Sequence, residues 1–354
     1  MGKMYRVTIT DIAREAKTSV ATVSRIINGS GHKTDSEVKE RVLKIINETG
    51  YTPNPLGRML QKNDIMEIGV VLPTFQNPFY TQILSGIENA AVKCGYDVVV
   101  YCSKHEAALE SKYIKTLMDK RVKAMIISPV SEDLTDLKHF ADNGGVVASL
   151  EKMEHPGCIW VDQNCDTGAT LATEHLIACG HRDIALLTLP LVKWTRKQIF
   201  KGFAETLARH GIPMREESVI ELENDMDFGE SVYEFECGRV LAGRFSRQHP
   251  GPTAILTVND ITAFGIIQAL TDLGVKVPDD VSVVGFDNIY MSPMITPRLT
   301  TVNTVSVRIG ETICRTLIEH KESEERFEGY GIQFETELVV RNSVKNHIVK
   351  SNIF

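Results

Sequence analysis

Two short segments near the start of the chain carry apolar residues at helical spacing. One face of the first segment holds Ile12, Ala13 and Ala16, and one face of the second holds Val23, Ile26 and Ile27. A tight turn joins the segments, and the second helix is predicted to begin at Ser19. The pattern predicts a helix-turn-helix, so DNA binding is the first functional hypothesis. A generic surface helix pair with a solvated polar face is the alternative.

The opposite face of the second helix carries polar and small side chains. It comprises Val20, Ala21, Thr22, Ser24, Arg25 and Asn28. In a major groove an arginine can bind a guanine edge, small apolar groups can contact thymine methyls, and hydroxyls can bind phosphates. This face therefore suits a helix that lies in a major groove.

A third helix is predicted over residues 34–48, where apolar positions recur behind a Thr34/Glu37 capping-box signal. The segment from Gly50 to Pro55 ends this helix. Residues 56–61 could add one or two helical turns, with Asn54 as N-cap and Pro55 at the first helical position. We therefore divide this end of the chain into a headpiece, residues 1–52, and a hinge segment, residues 53–63.

From Glu67 onward, apolar runs typical of buried strands alternate with helical segments, which predicts parallel α/β sheets. The first series of runs is 68–72, 97–101, 124–128 and 146–149, and the second is 184–188, 218–221, 254–257 and 281–285. Two similar series predict two lobes with a ligand cleft beyond the carboxyl ends of their strands. The expected first lobe comprises about 64–161 and 296–325, the second about 162–295 and 326–345, and the tail 346–354. In this division, strand 299–302 and helix 305–320 return the chain to the first lobe.

Charge is distributed unevenly along the 354 residues. Residues 1–62 contain eleven Lys or Arg against six Asp or Glu, a net charge of +5, whereas the whole chain carries −7 and the remainder therefore −12. Because phosphate affinity comes from Lys and Arg, a basic headpiece on an acidic body fits a protein that contacts DNA at one end. A hydrophobic content of 43% is enough for more than one core.

Other classes of protein find little support in the residues. The chain shows no signal-peptide pattern and no long apolar run, and its seven cysteines form no Cys-x-x-Cys pair, so we expect a cytoplasmic protein with free thiols. It has no nucleophile elbow, phosphate loop or zinc-protease motif, so neither an enzyme nor a cofactor is expected. His175, Cys179 and His181 are the best metal candidates, but they also match an ordinary helix end, and no metal is expected. A solute-binding protein would share the two lobes but would lack the headpiece.

The chain resembles the LacI/GalR family of bacterial transcription regulators from about Thr8 to Val344. The resemblance rests on Asp11 to Ala16, Ser19 to Gly29, Gly50 to Asn54, Asn77 to Tyr80, Glu174 to His181 and Val277 to Asn288. It implies a helix-turn-helix headpiece joined to a two-lobed core like that of periplasmic binding proteins. It also implies a homodimer whose headpieces read the two halves of a near-palindromic operator in double-stranded DNA. The tail lacks the leucine heptads that would support a tetramer.

The resemblance also assigns the DNA-contacting positions. Val20 and Ala21 occupy the base-reading pair, where methyl-sized groups favour thymine, and Arg25 occupies the guanine-contacting position. Leu60 falls where relatives insert a leucine between central base pairs, and an apolar linker residue on the core is the alternative. The other expected contacts are Thr8, Lys17, Ser19, Thr22, Ser24, Asn28 and Asn54.

Two headpiece residues depart from the family pattern. Lys17 stands in the helix–helix turn where glycine is usual, so we expect it to adopt left-handed backbone and to gain a phosphate contact. Gly57 stands where the hinge helix commonly carries alanine, which should make folding of the hinge less favourable by about 1 kcal/mol.

In the cleft, the resemblance assigns effector contacts from both lobes. They are Phe79, Tyr80, Asp162, Asn259, Asp260 and Asp287. Carboxylates and amides that face an aromatic wall suit a polyhydroxylated ligand. The structural alternatives are a loop cap for Asp287, a helix N-terminus for Asn259 and Asp260, and the core for Phe79.

Ile199 is the sharpest departure, because sugar-responsive relatives commonly have an arginine there; Arg196, one turn earlier, could replace it. The effector could therefore be a sugar, another metabolite, or a protein corepressor as in catabolite-control members of the family. The implied mechanism is allosteric: an effector changes the angle between the lobes, and hence the spacing of the hinges and of the Leu60 side chains. Induction is commoner in the family and is the first expectation.

Overall fold

In the computed structural model the chain forms two compact units, residues 1–65 and 66–354. The structure describes residues 8–27, 35–49, 66–153, 155, 157–215, 218–223, 231–247, 252–323 and 327–348. Several predictions lie outside these residues. They concern Thr34, the hinge segment 53–63 with Gly57, and the DNA contacts Asn28, Asn54 and Leu60.

The first unit contains the three predicted helices. They are α1 (Ile9–Glu15), α2 (Val20–Ile27) and α3 (Ser36–Thr49). Their apolar faces meet in a small core of Ile12, Ala13, Ala16, Val23, Ile26, Val42 and Ile45. The helix-turn-helix prediction is confirmed. α3 begins two residues later than predicted, and Asp35 Oδ1 accepts the backbone N–H of Glu37 at 3.0 Å in its first turn.

The first lobe of the second unit is a parallel sheet with helices on both faces. Its strands are β1 (Glu67–Leu72), β2 (Asp97–Cys102), β3 (Ala124–Ile127), β4 (Val146–Ser149), β5 (Cys158–Asp162) and β11 (Tyr330–Gln333), and their spatial order is β11-β5-β4-β3-β1-β2. Its helices are α4 (Pro78–Lys93), α5 (Ala107–Asp119), α6 (Thr135–Asp142) and α11 (Ser306–Ser323). Side chains of β1 alternate between the faces: Ile68 and Val70 pack in the core that includes α4 and α11, whereas Val71 packs with α5 and α6.

The second lobe repeats this architecture. Its strands are β6 (Ile184–Thr188), β7 (Val219–Glu221), β8 (Ala254–Thr257), β9 (Ser282–Asp287), β10 (Thr300–Asn303) and β12 (Glu337–Val339), in the order β12-β10-β9-β8-β6-β7. β12 runs antiparallel to β10, and the other described pairs are parallel. Its helices are α7 (Cys165–Ala178), α8 (Trp194–Arg209), α9 (Tyr233–Phe245) and α10 (Asp260–Asp272). The predicted α/β fold with two lobes of parallel sheet is confirmed.

The structure corrects the predicted division of the lobes within residues 296–345. β10 pairs with β9 in the second lobe, so the chain returns to the first lobe at α11 rather than at strand 299–302. β11 then pairs with β5 in the first lobe, although residues 326–345 were all predicted in the second. Short apolar runs do not reveal which sheet a strand joins, because pairing depends on partners far away in the chain.

Three short segments connect the lobes, following β5, β10 and β11. Asn164 joins two of them: its Nδ2 donates to the carbonyl oxygen of Phe334 at 3.0 Å, and its Oδ1 accepts from Gln333 Nε2 at 2.6 Å. Asn164 (φ 47°) and Val305 (φ 50°) both have left-handed backbone. Such a conformation is strained for a β-branched residue, so the surrounding structure must hold Val305 in place.

Glycines let two helix pairs approach until their backbones touch. A β-carbon added at Gly86 of α4 would lie 2.1 Å from the carbonyl oxygen of Val307, and one at Gly310 of α11 would lie 2.0 Å from that of Ile83. A β-carbon added at Gly265 of α10 would likewise clash with the backbone of α9. Side chains at these positions would force the helices apart, so each lobe depends on a tight helix pair.

Replacing Gly86 by alanine is expected to lower the free energy of unfolding of the core by about 1–3 kcal/mol, because the added methyl group meets backbone that cannot rotate away. The matched control is Gly243→Ala in α9, where an added β-carbon meets no atom within 4 Å. There alanine should stabilise the helix by about 0.5–1 kcal/mol. Urea unfolding measures both effects, and equal changes in the two variants would contradict the tight contact.

Candidate nucleic-acid interface and interlobe cavity

The outward face of α2 forms the candidate interface of the first unit. Its exposed members are Val20, Ala21 and Arg25, and its half-buried members are Thr22 and Ser24. Ser19 caps the helix, because its Oγ accepts the backbone N–H of Thr22 at 3.1 Å. Arg25 Nε donates to the carbonyl oxygen of Ala21 at 3.4 Å. Two small apolar groups and an arginine on one exposed face provide the contacts that base edges require.

Lys17 and Thr8 flank this face in the sequence. Lys17 has φ 51°, which confirms the predicted left-handed turn, and its side chain is exposed. Thr8 and Asp11 form a capping box: Thr8 Oγ1 accepts the N–H of Asp11 at 3.3 Å, and Asp11 Oδ2 accepts the N–H of Thr8 at 3.0 Å. Thr8 therefore has a structural role, and its DNA contact stays a prediction, as does that of Lys17.

In the second unit, a cavity of about 640 Å³, counted with its opening to solvent, lies between the lobes. It lies beyond the carboxyl ends of the strands, as the sequence predicts. Its wall includes five predicted effector contacts, namely Phe79, Tyr80, Arg196, Asn259 and Asp287, together with Ile199. Sequence reasoning missed other members, among them Asn77, His105, Ser128, Glu151, Lys193, Thr195 and Glu234. For all of these except Glu234, the signal that could have found them is their position in the short segment that follows a strand or in the helical turn directly after that segment; Glu234 lies 13 residues after β7 and carries no such signal.

Two predicted effector contacts, Asp162 and Asp260, do not line the cavity. Asp162 lies at the end of β5, where its Oδ1 accepts the N–H of Asn164 at 3.0 Å. Asp260 is fully buried at the start of α10. Its carboxylate accepts hydrogen bonds from the backbone N–H of Ile289 at 3.0 Å and from two hydroxyl groups, those of Ser292 and Thr301. Asp260 therefore acts as a structural acceptor that joins three segments of the second lobe.

The first lobe contributes an aromatic wall at the start of α4. Asn77 caps this helix, since its Oδ1 accepts the N–H of Phe79 at 3.0 Å, and Pro78 takes the first helical position. The rings of Phe79 and Tyr80 meet edge to face with centroids 5.2 Å apart. The cap thus orients two rings that are 9% exposed and line the cavity. Asn259 lies both at the helix N-terminus and on the cavity wall, as the two alternatives from the sequence proposed. Its Oδ1 accepts the N–H of Thr262 at 2.7 Å and caps α10, and the residue also lines the cavity.

Contacts between the lobes surround the cavity. Both carboxylate oxygens of Glu151 in the first lobe accept hydrogen bonds from Thr195 in the second, from its N–H at 3.2 Å and its hydroxyl at 3.1 Å. Asn77 Nδ2 donates to Glu234 Oε1 at 3.3 Å. The rings of His105 and Tyr233 also meet across the lobes, with centroids 5.0 Å apart. These contacts hold the lobes closed around the cavity.

The described part of the wall contains three carboxylates, two cationic side chains and one histidine. Glu151, Glu234 and Asp287 face Lys193 and Arg196, with His105 also present. Burial, and then the charges of Asp260 and Glu234, hold the pKa of Asp287 well above its usual range. Asp287 also has an unusual backbone conformation, with φ 104°. A buried carboxylate in strained backbone at the wall of a cavity is typical of a ligand site.

The metal candidates from the sequence are not brought together as a ligand set. Cys179 Sγ lies 3.8 Å from His175 Nε2, but His181 Nδ1 lies 2.8 Å from Thr253 Oγ1 and its Nε2 lies 3.0 Å from Ser282 Oγ. Burial lowers the pKa of His181 to about 4. Within the described ranges we find no group of three potential ligands suited to a metal ion, and no helix long and apolar enough to cross a membrane.

Asp260→Asn is expected to lower the free energy of unfolding by about 1–3 kcal/mol, because an amide cannot accept all three hydrogen bonds that the carboxylate accepts. The matched control is Asp272→Asn on the same helix, where an exposed carboxylate pairs with Arg239 at 3.1 Å and contributes less than about 1 kcal/mol. Thermal unfolding compares the two variants. A stable Asp260→Asn protein would contradict the structural role of this carboxylate.

Comparison with known sequences places both units in one family. Residues 8–54 match the profile of bacterial regulatory proteins, lacI family, and residues 66–333 match that of periplasmic binding proteins and sugar binding domain of LacI family. The chain is 33% identical over 344 residues to the HTH-type transcriptional repressor PurR of Mannheimia succiniciproducens, which covers 96% of this chain and 98% of that protein. PurR of Photobacterium profundum is 31% identical over 341 residues, covering 96% and 99%.

Solved structures agree with this result. The lac repressor dimer bound to operator and the anti-inducer ONPF has a TM-score of 0.81 and 25% identity, covering 96% of this chain and 100% of that chain. A complex of the transcriptional regulator CelR with cellobiose has a TM-score of 0.70 at 24% identity, covering 96% and 100%, and shows the shared fold. From the two matching profiles and the full-length relatives, the chain belongs to the LacI family of bacterial DNA-binding transcription regulators.

Proposed function

We propose that this protein is a homodimeric repressor whose operator binding is controlled by a small molecule in the interlobe cavity. The observation that carries the proposal is the combination, in one chain, of an exposed reading face on α2 and a polar cavity between two lobes. Similarity over nearly the whole chain to repressors named PurR, and to a lac repressor dimer solved on its operator, supports it. Such a protein acts by binding rather than by catalysis, and it acts in the cytoplasm, where bacterial DNA is.

The headpiece would read each half of the operator through α2. Arg25 is exposed and can donate two hydrogen bonds to a guanine edge, whereas Val20 and Ala21 can contact thymine methyls. Ser19, Thr22 and Ser24 would bind phosphates or bases, as would Lys17 in the preceding turn. Two headpieces in a dimer would read half-sites about one helical turn apart. Leu60, Asn28 and Asn54 are assigned to DNA by their sequence positions alone.

Control would act through the angle between the lobes. A ligand in the cavity touches both lobes, so its affinity depends on how they are placed, and only such a difference can shift the equilibrium between two arrangements. The three segments between the lobes are the parts whose backbone would change. The polar wall with Glu234 and Asp287 favours a small molecule over a protein corepressor, because these buried groups need a partner that can enter the cavity.

A thermal-shift screen tests the effector. The purified protein is heated with sugars, sugar phosphates, nucleosides and small amines, alone and with an operator duplex obtained by selection from random DNA. A compound that raises the melting temperature and weakens operator binding would support an inducible repressor, and one that strengthens binding would make it a corepressor. No response to any compound would contradict small-molecule control and favour a protein corepressor.

Arg25→Ala is expected to weaken binding to the selected operator roughly tenfold to a hundredfold, because one bidentate base contact contributes about 1–3 kcal/mol. Arg14→Ala is the control: it removes the same charge, but Arg14 lies on α1 and pairs with Asp11. Both variants should lose some salt-dependent affinity for any DNA, whereas Arg25→Ala alone should lose preference for the operator. Fluorescence anisotropy with operator and scrambled duplexes measures this preference. An unchanged preference in Arg25→Ala would show that the base-reading assignment is wrong.

A further inference from the structure

We propose that the ligand of the interlobe cavity carries a cationic nitrogen, as a small primary amine does, which binds between the carboxylates of Glu234 and Asp287. This inference rests on the proposed function, because it names the chemical class of the effector. It concerns the second-lobe wall of the cavity, where both carboxylates lie.

Glu234 carries the first part of the argument. It lies in the first turn of α9, is 4% exposed, and belongs to the cavity wall. Asn77 Nδ2 donates to its Oε1 at 3.3 Å, but its Oε2 is buried and accepts no hydrogen bond from the described residues. A buried carboxylate oxygen without a donor is costly, and a donor that enters the cavity would remove this cost.

Asp287 carries the second part. It ends β9, is 9% exposed, and lies on the same wall. Among the residues that the structure describes, none is seen to donate a hydrogen bond to its carboxylate. Glu234 is close enough for its charge to raise the pKa of Asp287, after the larger effect of burial. A cation between the two carboxylates would offset this repulsion and favour the charged form of Asp287.

Two cationic side chains of the cavity wall, Lys193 and Arg196, interact with other groups, and the ring of His105 packs on that of Tyr233. Arg196 Nη1 donates to the carbonyl oxygen of Pro190 at 3.0 Å. Lys193 acts on Glu110: burial raises the pKa of that carboxyl group, and the charge of Lys193 offsets part of the rise. Ile199 on the inner face of α8 is 2% exposed and carries no charge. A cationic ligand can therefore supply the positive charge that Glu234 and Asp287 lack.

A hydroxyl group would meet the need only in part. It can donate one hydrogen bond to Glu234 Oε2, but it brings no charge, whereas an ammonium group has three donors and a positive charge. Either donor would form a hydrogen bond to a charged acceptor, so the difference comes from the attraction between opposite charges, which only the ammonium group adds. An amine and its hydroxyl counterpart of equal size should therefore differ in affinity, and the difference should depend on Glu234.

The test compares three matched pairs of probes: D-glucosamine with D-glucose, D-galactosamine with D-galactose, and ethanolamine with ethylene glycol. Each is titrated calorimetrically into the full-length protein and into two variants. Glu234→Gln keeps the size of the side chain and an oxygen that can accept from Asn77. Glu236→Gln is the control, because Glu236 lies on the same helix but pairs with Arg239 outside the cavity.

We expect at least one amine to bind the parent protein and the Glu236→Gln variant roughly tenfold or more tightly than its hydroxyl counterpart. Glu234→Gln should remove most of this preference. The proposal is overturned if hydroxyl compounds bind as tightly as amines, if Glu234→Gln keeps the preference, or if no amine binds. Operator binding measured on the same samples separates the two proposals, since a protein that binds its operator and responds to a neutral ligand is still a repressor.

Discussion

The second lobe depends on one buried carboxylate. Asp260 is fully enclosed, and burial raises its pKa to about 7 even though three hydrogen bonds and the charge of Arg341 lower it. Those hydrogen bonds come from Ile289, Ser292 and Thr301, so α10, the loop after β9 and the strand β10 are all joined to one side chain. Because Asp287 ends β9 just before that loop, the cavity wall is positioned by a group that does not touch the cavity.

Because the helix pairs within each lobe are tightly packed, we expect the lobes to move relative to each other rather than to change shape internally. The backbones of α4 and α11 touch at Gly86 and Gly310, which leaves no room for sliding without steric clash. The connecting segments instead contain Asn164 and Val305 in left-handed backbone, which is disfavoured, above all for the β-branched Val305, so that a change of backbone conformation there would relieve strain. A change in the angle between lobes can therefore be absorbed by a few residues, while each lobe moves as a body.

The sequence predicted the elements better than their partners. Helical spacing identified the three headpiece helices, and strand-like runs identified most strands, because both signals are local. The sequence analysis assigned the segment of β10 to the first lobe and that of β11 to the second, whereas each strand belongs to the other lobe. Strand pairing was not predicted because it depends on residues far apart in the chain. Asp260 and Asp287 look alike in sequence, but Thr301, 41 residues from Asp260, makes the first a structural acceptor. Glu234 was missed because no motif marks it, and only the folded cavity shows its second oxygen without a donor.

Asn77 links the charge at Glu234 to the opposite lobe. Its Oδ1 caps the helix that carries Phe79 and Tyr80, while its Nδ2 donates to Glu234 across the cavity. An amine bound at Glu234 would donate to the oxygen that lacks a donor, while the other oxygen keeps its hydrogen bond from Asn77. That bond spans the two lobes at 3.3 Å, so an arrangement with the lobes further apart would lose it. A cationic ligand would therefore bind the closed arrangement more tightly than an open one, and this difference in affinity is what allows a ligand to shift the balance between them.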